Sequence, residues 1–213
     1  MRIERFPVGP LDNNLYLLTA DQGTDAIVID PSLESADVLR TIAARGLSVK
    51  RILLTHAHVD HILMAKPFQD ATGAPIWLHE EDRLLYEFGG QQAEGMGLDW
   101  PGLAPVAHWM ADGEDVGIPG IEATAIHTPG HSPGSVTFVT PRGLVAGDVL
   151  FRESVGRIDL PGGDWDALVR SIRGRLFSYP RETDVFPGHG PTTTIGHEIK
   201  HNPFVGESAF ERA

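Results

Sequence analysis

The chain has 213 residues, room for one large domain or two small ones, with 41 % hydrophobic and 22 % charged side chains, ordinary values for a globular protein. Its 29 acidic residues outnumber 17 basic ones, for a formal net charge of −12, which argues against nucleic acid or an anionic membrane as a partner, since both call for a basic surface. There is no cysteine, hence no disulfide, thiolate ligand or cysteine nucleophile; the opening "MRIERFPVGP" lacks the apolar core of a secretory signal and no run is long enough to cross a bilayer, so a cytoplasmic protein is expected.

In chain order, "NLYLLT" (14–19) and "AIVID" (26–30) read as strands separated by the turn-like "DQGTD". "SADVLRTIAARG" (35–46) reads as a helix: Val38, Leu39, Ile42 and Ala43 share a face and Gly46 suits the C-terminal cap. "KRILLT" (50–55) is a short buried strand, and from His61 to about Thr72 the spacing of Ile62, Ala65, Phe68 and Gln69 predicts a helix stopped by Gly73. "PIWLH" (75–79) and "EEDRLLYEF" (80–88) read as strand and helix. Residues 89–106 show no period and much Gly and Pro, which reads either as a solvated loop or as a loop bordering a site. Strands follow at 121–127, 135–140 and 143–151. An amphipathic helix is predicted over 164–177 on Leu168, Ile172 and Leu176, and a last strand and turn over 183–190. No linker divides the chain, so one α/β domain over residues 1–213 is expected.

"ILLTHAHVDHIL" is the most informative stretch. His56, His58, Asp60 and His61 follow directly on an aliphatic run, and three of only ten histidines lie in six positions. Side chains two apart on extended backbone point the same way, so His56 and His58 can reach one ion together. Asp60 and His61 fall where strand gives way to helix and can aim at an adjacent position. Imidazole and carboxylate suit zinc, iron or manganese. Further ligands are offered by His131 in "HTPGHSPGS", Asp148 in "VAGDVLF" and His189 in "FPGHGP", each beside glycine at a strand end. Singly, each of the three could equally cap a turn or lie on the surface.

Together, "THAHVDH", "TPGHS", "GDVLF" and "PGHG" resemble the motifs of the metallo-β-lactamase superfamily over nearly the whole chain. Within it, "LFRESVGRIDLPGGD" (150–164) and "HNPF" (201–204) resemble the short-form glyoxalase II (hydroxyacylglutathione hydrolase-like) proteins. The resemblance implies a four-layer αββα sandwich with two divalent metal ions at one edge of the sheets, zinc foremost, with iron or manganese as alternatives. It implies His56, His58 and His131 on the first ion, Asp60, His61 and His189 on the second, and Asp148 bridging both. The implied activity is hydrolysis of a small acyl thioester such as S-lactoylglutathione, by a hydroxide held between two cations and assisted by Asp60. Asp30 resembles the aspartate that steadies a metal-binding histidine in relatives, Thr55 is expected to orient the loop, and Arg157 is expected to clamp a substrate carboxylate.

Two departures from the relatives stand out. Only 23 residues follow Gly190, so the helical segment with which long-form proteins help to bind glutathione has no counterpart, and a different thiol carrier is open. Met64 replaces a common glycine, as plain packing or as part of the pocket. A lactonase or other acyl hydrolase would use the same site. A persulfide dioxygenase would keep similar motifs with one iron. A secreted β-lactamase, a nuclease and a non-catalytic scaffold are disfavoured by the leaderless start, the acidity and the complete ligand set respectively. Oligomeric state is left open.

Overall fold

The computed structural model describes residues 1–209, so the last four residues of the expected 1–213 domain lie outside the described part. The first half of the chain builds one six-stranded sheet in sequence order: β1 (Arg2–Val8), β2 (Asn13–Thr19), β3 (Asp25–Ile29), β4 (Ser48–Leu53), β5 (Ile76–His79) and β6 (Val106–Met110). β1 to β3 are antiparallel neighbours, whereas β3, β4, β5 and β6 run parallel. The parallel crossovers are made by α1 (Ala36–Ala44), by α2 (Val59–Ile62) with α3 (Ala65–Thr72), and by α4 (Arg83–Glu87) with α5 (Gly89–Gly95).

The second half builds another six-stranded sheet from β7 (Glu114–Asp115), β8 (Thr124–His127), β9 (Val136–Thr140), β10 (Gly143–Gly147), β13 (Asp184–Pro187) and β14 (Thr193–Thr194), in the order β14-β13-β10-β9-β8-β7. β11 (Leu150–Phe151) and β12 (Ser154–Val155) form a hairpin, and α6 (Trp165–Arg170) and α7 (Ile195–His201) complete the half.

Side-chain alternation along the strands dictates the layering. On β2 and β3, Tyr16, Leu18, Ile27 and Ile29 face inward, packing with Phe138, Val136, Ala125 and Val145 of the other sheet in the central core. Their neighbours Leu15, Leu17, Ala26 and Val28 face outward, packing under Val38 and Ile42 of α1 and Phe68 of α3. On the opposite side Leu144, Ala146 and Val185 meet Leu168 and Ile172, with Ile195 of α7. Two sheets face to face, each covered by helices, make the four-layer αββα sandwich that the resemblance implies.

The differences from the sequence reading have local causes. β1 carries Pro7, which weakens the strand signal but is tolerated on an edge strand. Residues 89–95 are a helix rather than a loop: Gly89 and Gly90 depress helix propensity, yet they let the helix pack flat beneath the Trp100 ring, which an added Cβ at Gly89 would meet at 2.6 Å. β6 and α7 escape the sequence reading altogether. The strand expected over 143–151 breaks at Asp148, and that over 121–127 begins only at Thr124. The helix expected over 61–72 starts at Val59 and is interrupted at Leu63 and Met64. The helix expected over 164–177 passes into a π-helical turn at Ser171–Arg175, where the Ser171 hydroxyl donates to the Pro129 carbonyl (2.7 Å) beside the His131 loop.

Candidate metal centre

The seven predicted ligands all follow strand ends at one edge of the two sheets. His56, His58, Asp60 and His61 come after β4, His131 after β8, Asp148 after β10 and His189 after β13. Three groups have ligand atoms lying within 4.8 Å of one another: His56, His58 and His131; Asp60, His61 and His189; and His56, His61 and Asp148. The first two groups have the membership that the resemblance implies for the two ions. In the third, Asp148 meets one histidine of each.

The way the imidazoles are held decides which nitrogen each presents. The Thr55 hydroxyl donates to Asp30 Oδ2 (2.6 Å), so it accepts from His56 Nδ1 (3.0 Å). His61 Nδ1 donates to Asp30 Oδ2 (3.0 Å), His131 Nδ1 to the Arg157 carbonyl (2.8 Å) and His189 Nδ1 to the Leu11 carbonyl (2.8 Å). Four rings therefore carry their proton outward and turn a bare Nε2 inward. His58 is reversed: its Nδ1 lies 2.8 Å from His131 Nε2, and its buried Nε2 has no hydrogen-bond partner. The inward nitrogens crowd one another, with His56 and His131 3.2 Å apart and His61 and His189 3.2 Å apart. Lone pairs facing each other at such distances repel unless a cation lies among them. Asp148 Oδ1 is likewise buried without a hydrogen-bond donor. This donor set fits divalent metal ions.

The charges agree. Asp148 Oδ1 lies 3.3 Å from His61 Nε2, and its Oδ2 lies 3.3 Å from His189 Nε2 and 3.5 Å from His131 Nε2. Burial alone would raise the Asp148 carboxyl, but His61 and the hydrogen bond from His189 outweigh it and hold the group well below the usual carboxylate range. Asp60 is held low in the same way: burial opposes ionisation, and His61 and His189 overcome it. Without a cation beside it, the inward nitrogen of His189 is drawn to take up a proton instead: burial opposes charge on the ring, yet Asp148 and Asp60 carry it up to about 10. The carboxylates thus create a field that draws positive charge to this spot.

The close packing of the site depends on Gly188, in "PGHG". A Cβ there would collide with Asp148 Oδ1 and lie 2.8 Å from His61 Cε1. Asp30 is a second constrained position. It is fully buried with φ 50°, a left-handed conformation rare outside glycine, and it is locked there by the Thr55 N–H (2.7 Å) and hydroxyl. Asp30 and Thr55 therefore stand behind His61 and His56 and set their orientation.

Arg157 reaches the rim, but its guanidinium is forked onto Asp159, with Nε–Oδ1 and Nη2–Oδ2 both 2.7 Å, and it is largely exposed. Met64 lines no part of the ligand cavity and packs, partly buried, against the outer core of the first sheet.

Three residues that the sequence reading missed shape the site. Asn13, fully buried at the start of β2, donates its amide to Asp60 Oδ2 (3.0 Å). Asp82, fully buried, accepts from the Ala57 N–H (2.8 Å), between His56 and His58, and from the Ser132 hydroxyl (2.8 Å) and Gly134 N–H (2.6 Å), next to His131. It ties together the two loops of one histidine group. Burial pushes its carboxyl up, and the three donors offset part of that. Gln92 of α5 accepts from the Val59 N–H (3.1 Å) and donates to the Ala57 (3.1 Å) and Leu85 (2.8 Å) carbonyls. A paired "NN" at the start of a strand was the only local signal for any of them.

The ligands open into a cavity of about 520 Å³, walled otherwise by Leu11, Val59, Gln92, Met96, Arg157 and Leu160. Of the two readings of residues 89–106, the one that has them bordering a site describes Gln92 and Met96. Among the described residues no helix is long and apolar enough to cross a membrane.

Known proteins share this fold. The chain is 35% identical over 213 residues to the hydroxyacylglutathione hydrolase GloC of Haemophilus influenzae, covering 98% of this chain and 100% of that protein. The crystal structure of the BLEG-1 B3 metallo-beta-lactamase superposes with a TM-score of 0.88 at 35% identity, over 96% of this chain and 99% of that one. TTHA1623, in a di-iron-bound form, does so with a TM-score of 0.85 at 42% identity, over 94% and 99%. The profile of the metallo-beta-lactamase superfamily matches residues 8–194. The chain belongs to the metallo-β-lactamase superfamily.

Proposed function

We propose that this protein is a metal-dependent hydrolase of acyl thioesters, of the glyoxalase II type, holding two divalent ions. The observation that carries the reading is the meeting of two three-ligand groups at one carboxylate, Asp148, on the wall of a cavity large enough for a small substrate. His56, His58 and His131 would hold one ion, Asp60, His61 and His189 the other, with Asp148 between them. The name and full-length similarity of GloC support the thioester. Zinc suits the imidazole and carboxylate donors, and the di-iron-bound form of TTHA1623 makes iron the alternative.

When bound, such ions supply Lewis acidity to a substrate carbonyl and acidify water near neutral pH. The chain's own residues do the rest. Asp30, Thr55 and the backbone carbonyls of Leu11 and Arg157 fix the ring orientations, so no reorganisation is needed during turnover. Asp60, anchored through Asn13 and partly open to the cavity, accepts a hydrogen bond from the attacking water and so orients it. Leu11, Val59, Met96 and Leu160 limit competing water. The leaving thiol needs no protein nucleophile.

Metal analysis of the purified protein, paired with a hydrolysis panel, tests this. The panel holds S-lactoylglutathione, neutral thioesters, a lactone and a β-lactam. The expected result is two ions per chain and fastest cleavage of a thioester. One iron per chain with oxygen uptake on a persulfide would assign a dioxygenase instead. A lactone or lactam cleaved faster than every thioester would assign another acyl hydrolase.

A further inference from the structure

Beside the ligand cavity lies a smaller one of about 280 Å³. The two share His58, Gln92 and Leu160 as walls, and the smaller is completed by Leu85, Phe88 and Pro161, with no acidic or basic side chain other than the shared histidine. Gln92 offers a ligand little polarity there, because both amide hydrogens go to backbone carbonyls and its oxygen accepts from Val59. Phe88 is 53% exposed, a large ring left in water at the border of a reactive cavity. Leu11 and Met96, on the wall of the larger cavity, are similarly exposed at 43% and 49%. Apolar groups clustered at such a place mark a binding surface. Arg157 is the one arginine or lysine lining either cavity, and Asp159 already occupies its guanidinium. A carboxylate on the substrate would have to displace that partner.

We propose that the smaller cavity is a subsite for a saturated, medium-length acyl chain, and that the preferred substrate is an apolar acyl thioester with a neutral thiol arm. This rests on the thioester-hydrolase reading above. The reacting carbonyl sits at the ligand cluster. Its hydrocarbon chain crosses the shared wall toward Phe88 and Leu85, while the polar thiol arm lies in the larger cavity and leaves through it. Hydrolysis forms one C–O bond from water and breaks the C–S bond. The acyl group leaves as the carboxylic acid and the thiol takes up the remaining proton of the water.

The test is a series of N-acetylcysteamine thioesters, from acetyl through butanoyl and hexanoyl to octanoyl, on the metal-loaded protein, with S-lactoylglutathione alongside. Burying each methylene should raise kcat/KM about threefold to fourfold until the cavity is full. Phe88→Ala, at an exposed position that leaves folding intact, should lower the ratio of octanoyl to acetyl turnover about tenfold. Independently of activity, octanamide should bind the metal-free protein more tightly than acetamide by calorimetry, and Phe88→Ala should erase the difference. Equal kcat/KM along the series, an unchanged ratio in Phe88→Ala, or S-lactoylglutathione outrunning every neutral thioester would overturn the subsite and leave thioester hydrolysis standing. If no thioester is cleaved, the underlying reading falls, and the amide titration still decides whether the subsite binds a hydrocarbon chain.

Discussion

Asp148 and Asp82 are both buried carboxylates, yet they do different things. Asp148 lies within 3.5 Å of histidines from both ligand groups, so on the proposed two-ion reading its removal would delete a shared ligand and the charge that holds the cations close. Loss of groups that only support a ligand costs about 10–100-fold in affinity or activity. Asp148→Ala should therefore lower kcat by more than about 100-fold and release one ion more readily, measured by steady-state rates and metal content after desalting. A variant with unchanged metal and turnover would remove Asp148 from the bridge. Asp82 makes no hydrogen bond to a ligand side chain but fastens the Ala57 backbone to the Ser132 hydroxyl and the Gly134 backbone. Asp82→Asn puts an amide hydrogen against a donor and leaves one buried group unsatisfied, which costs about 1–3 kcal/mol. In chelator titrations it should release the ion held by His56, His58 and His131 at lower chelator concentration than the other. Equal release of both would mark Asp82 as a purely structural residue.

At the scale of elements, α5 is hydrogen-bonded to the ligand loop through the Gln92 side chain. Gln92 makes three hydrogen bonds to backbone on either side of His58 and on α4, while Ala93 packs with Val59 and Leu63. Gln92→Ala should leave most of the fold intact, speed hydrogen exchange at Val59 N–H, and raise KM more than it lowers kcat. Unaltered exchange there would show that α5 is held by its apolar contacts alone. The same element shows where the sequence was hard to read. His56, His58, Asp60 and His61 are legible because they are contiguous, and His131, Asp148 and His189 because each sits in a glycine-flanked turn at a strand end. Asn13, Asp82 and Gln92 work through groups 25 to 52 residues away, apart from the local Leu85 bond, so no local pattern carries them. Helix α5 hides behind Gly89 and Gly90, whose purpose appears only once Trp100 is packed on them. Arg157 was legible as a basic residue near the site, but its pairing with Asp159 two residues on was not read from the sequence.

For the whole molecule, the proposed ions join its two halves. Each ligand triad takes two residues from the half that builds the first sheet and one from the half that builds the second. A ligand that binds only the folded state stabilises it by about 4 kcal/mol at 1,000 times its Kd, and in a chain of this length each kcal/mol moves Tm by about 2–4 °C. Chelation should therefore lower Tm by about 8–16 °C, and a scan unmoved by chelator would contradict metal binding at this edge. The same geometry makes the inter-sheet core matter to the ions at a distance. Phe138 is fully buried between the sheets, and Phe138→Ala costs about 3–5 kcal/mol in stability. It should also weaken metal affinity although it touches no ligand; affinity equal to that of the parent would show that the ligand loops keep their own alignment. Since neither sheet alone carries a complete triad, the ions behave like dowels pinned through two stacked boards: any slip of one board against the other is felt at both pins. Metal occupancy can then serve as a gauge of how well the sheets are registered, for variants whose changes lie far from the ligands.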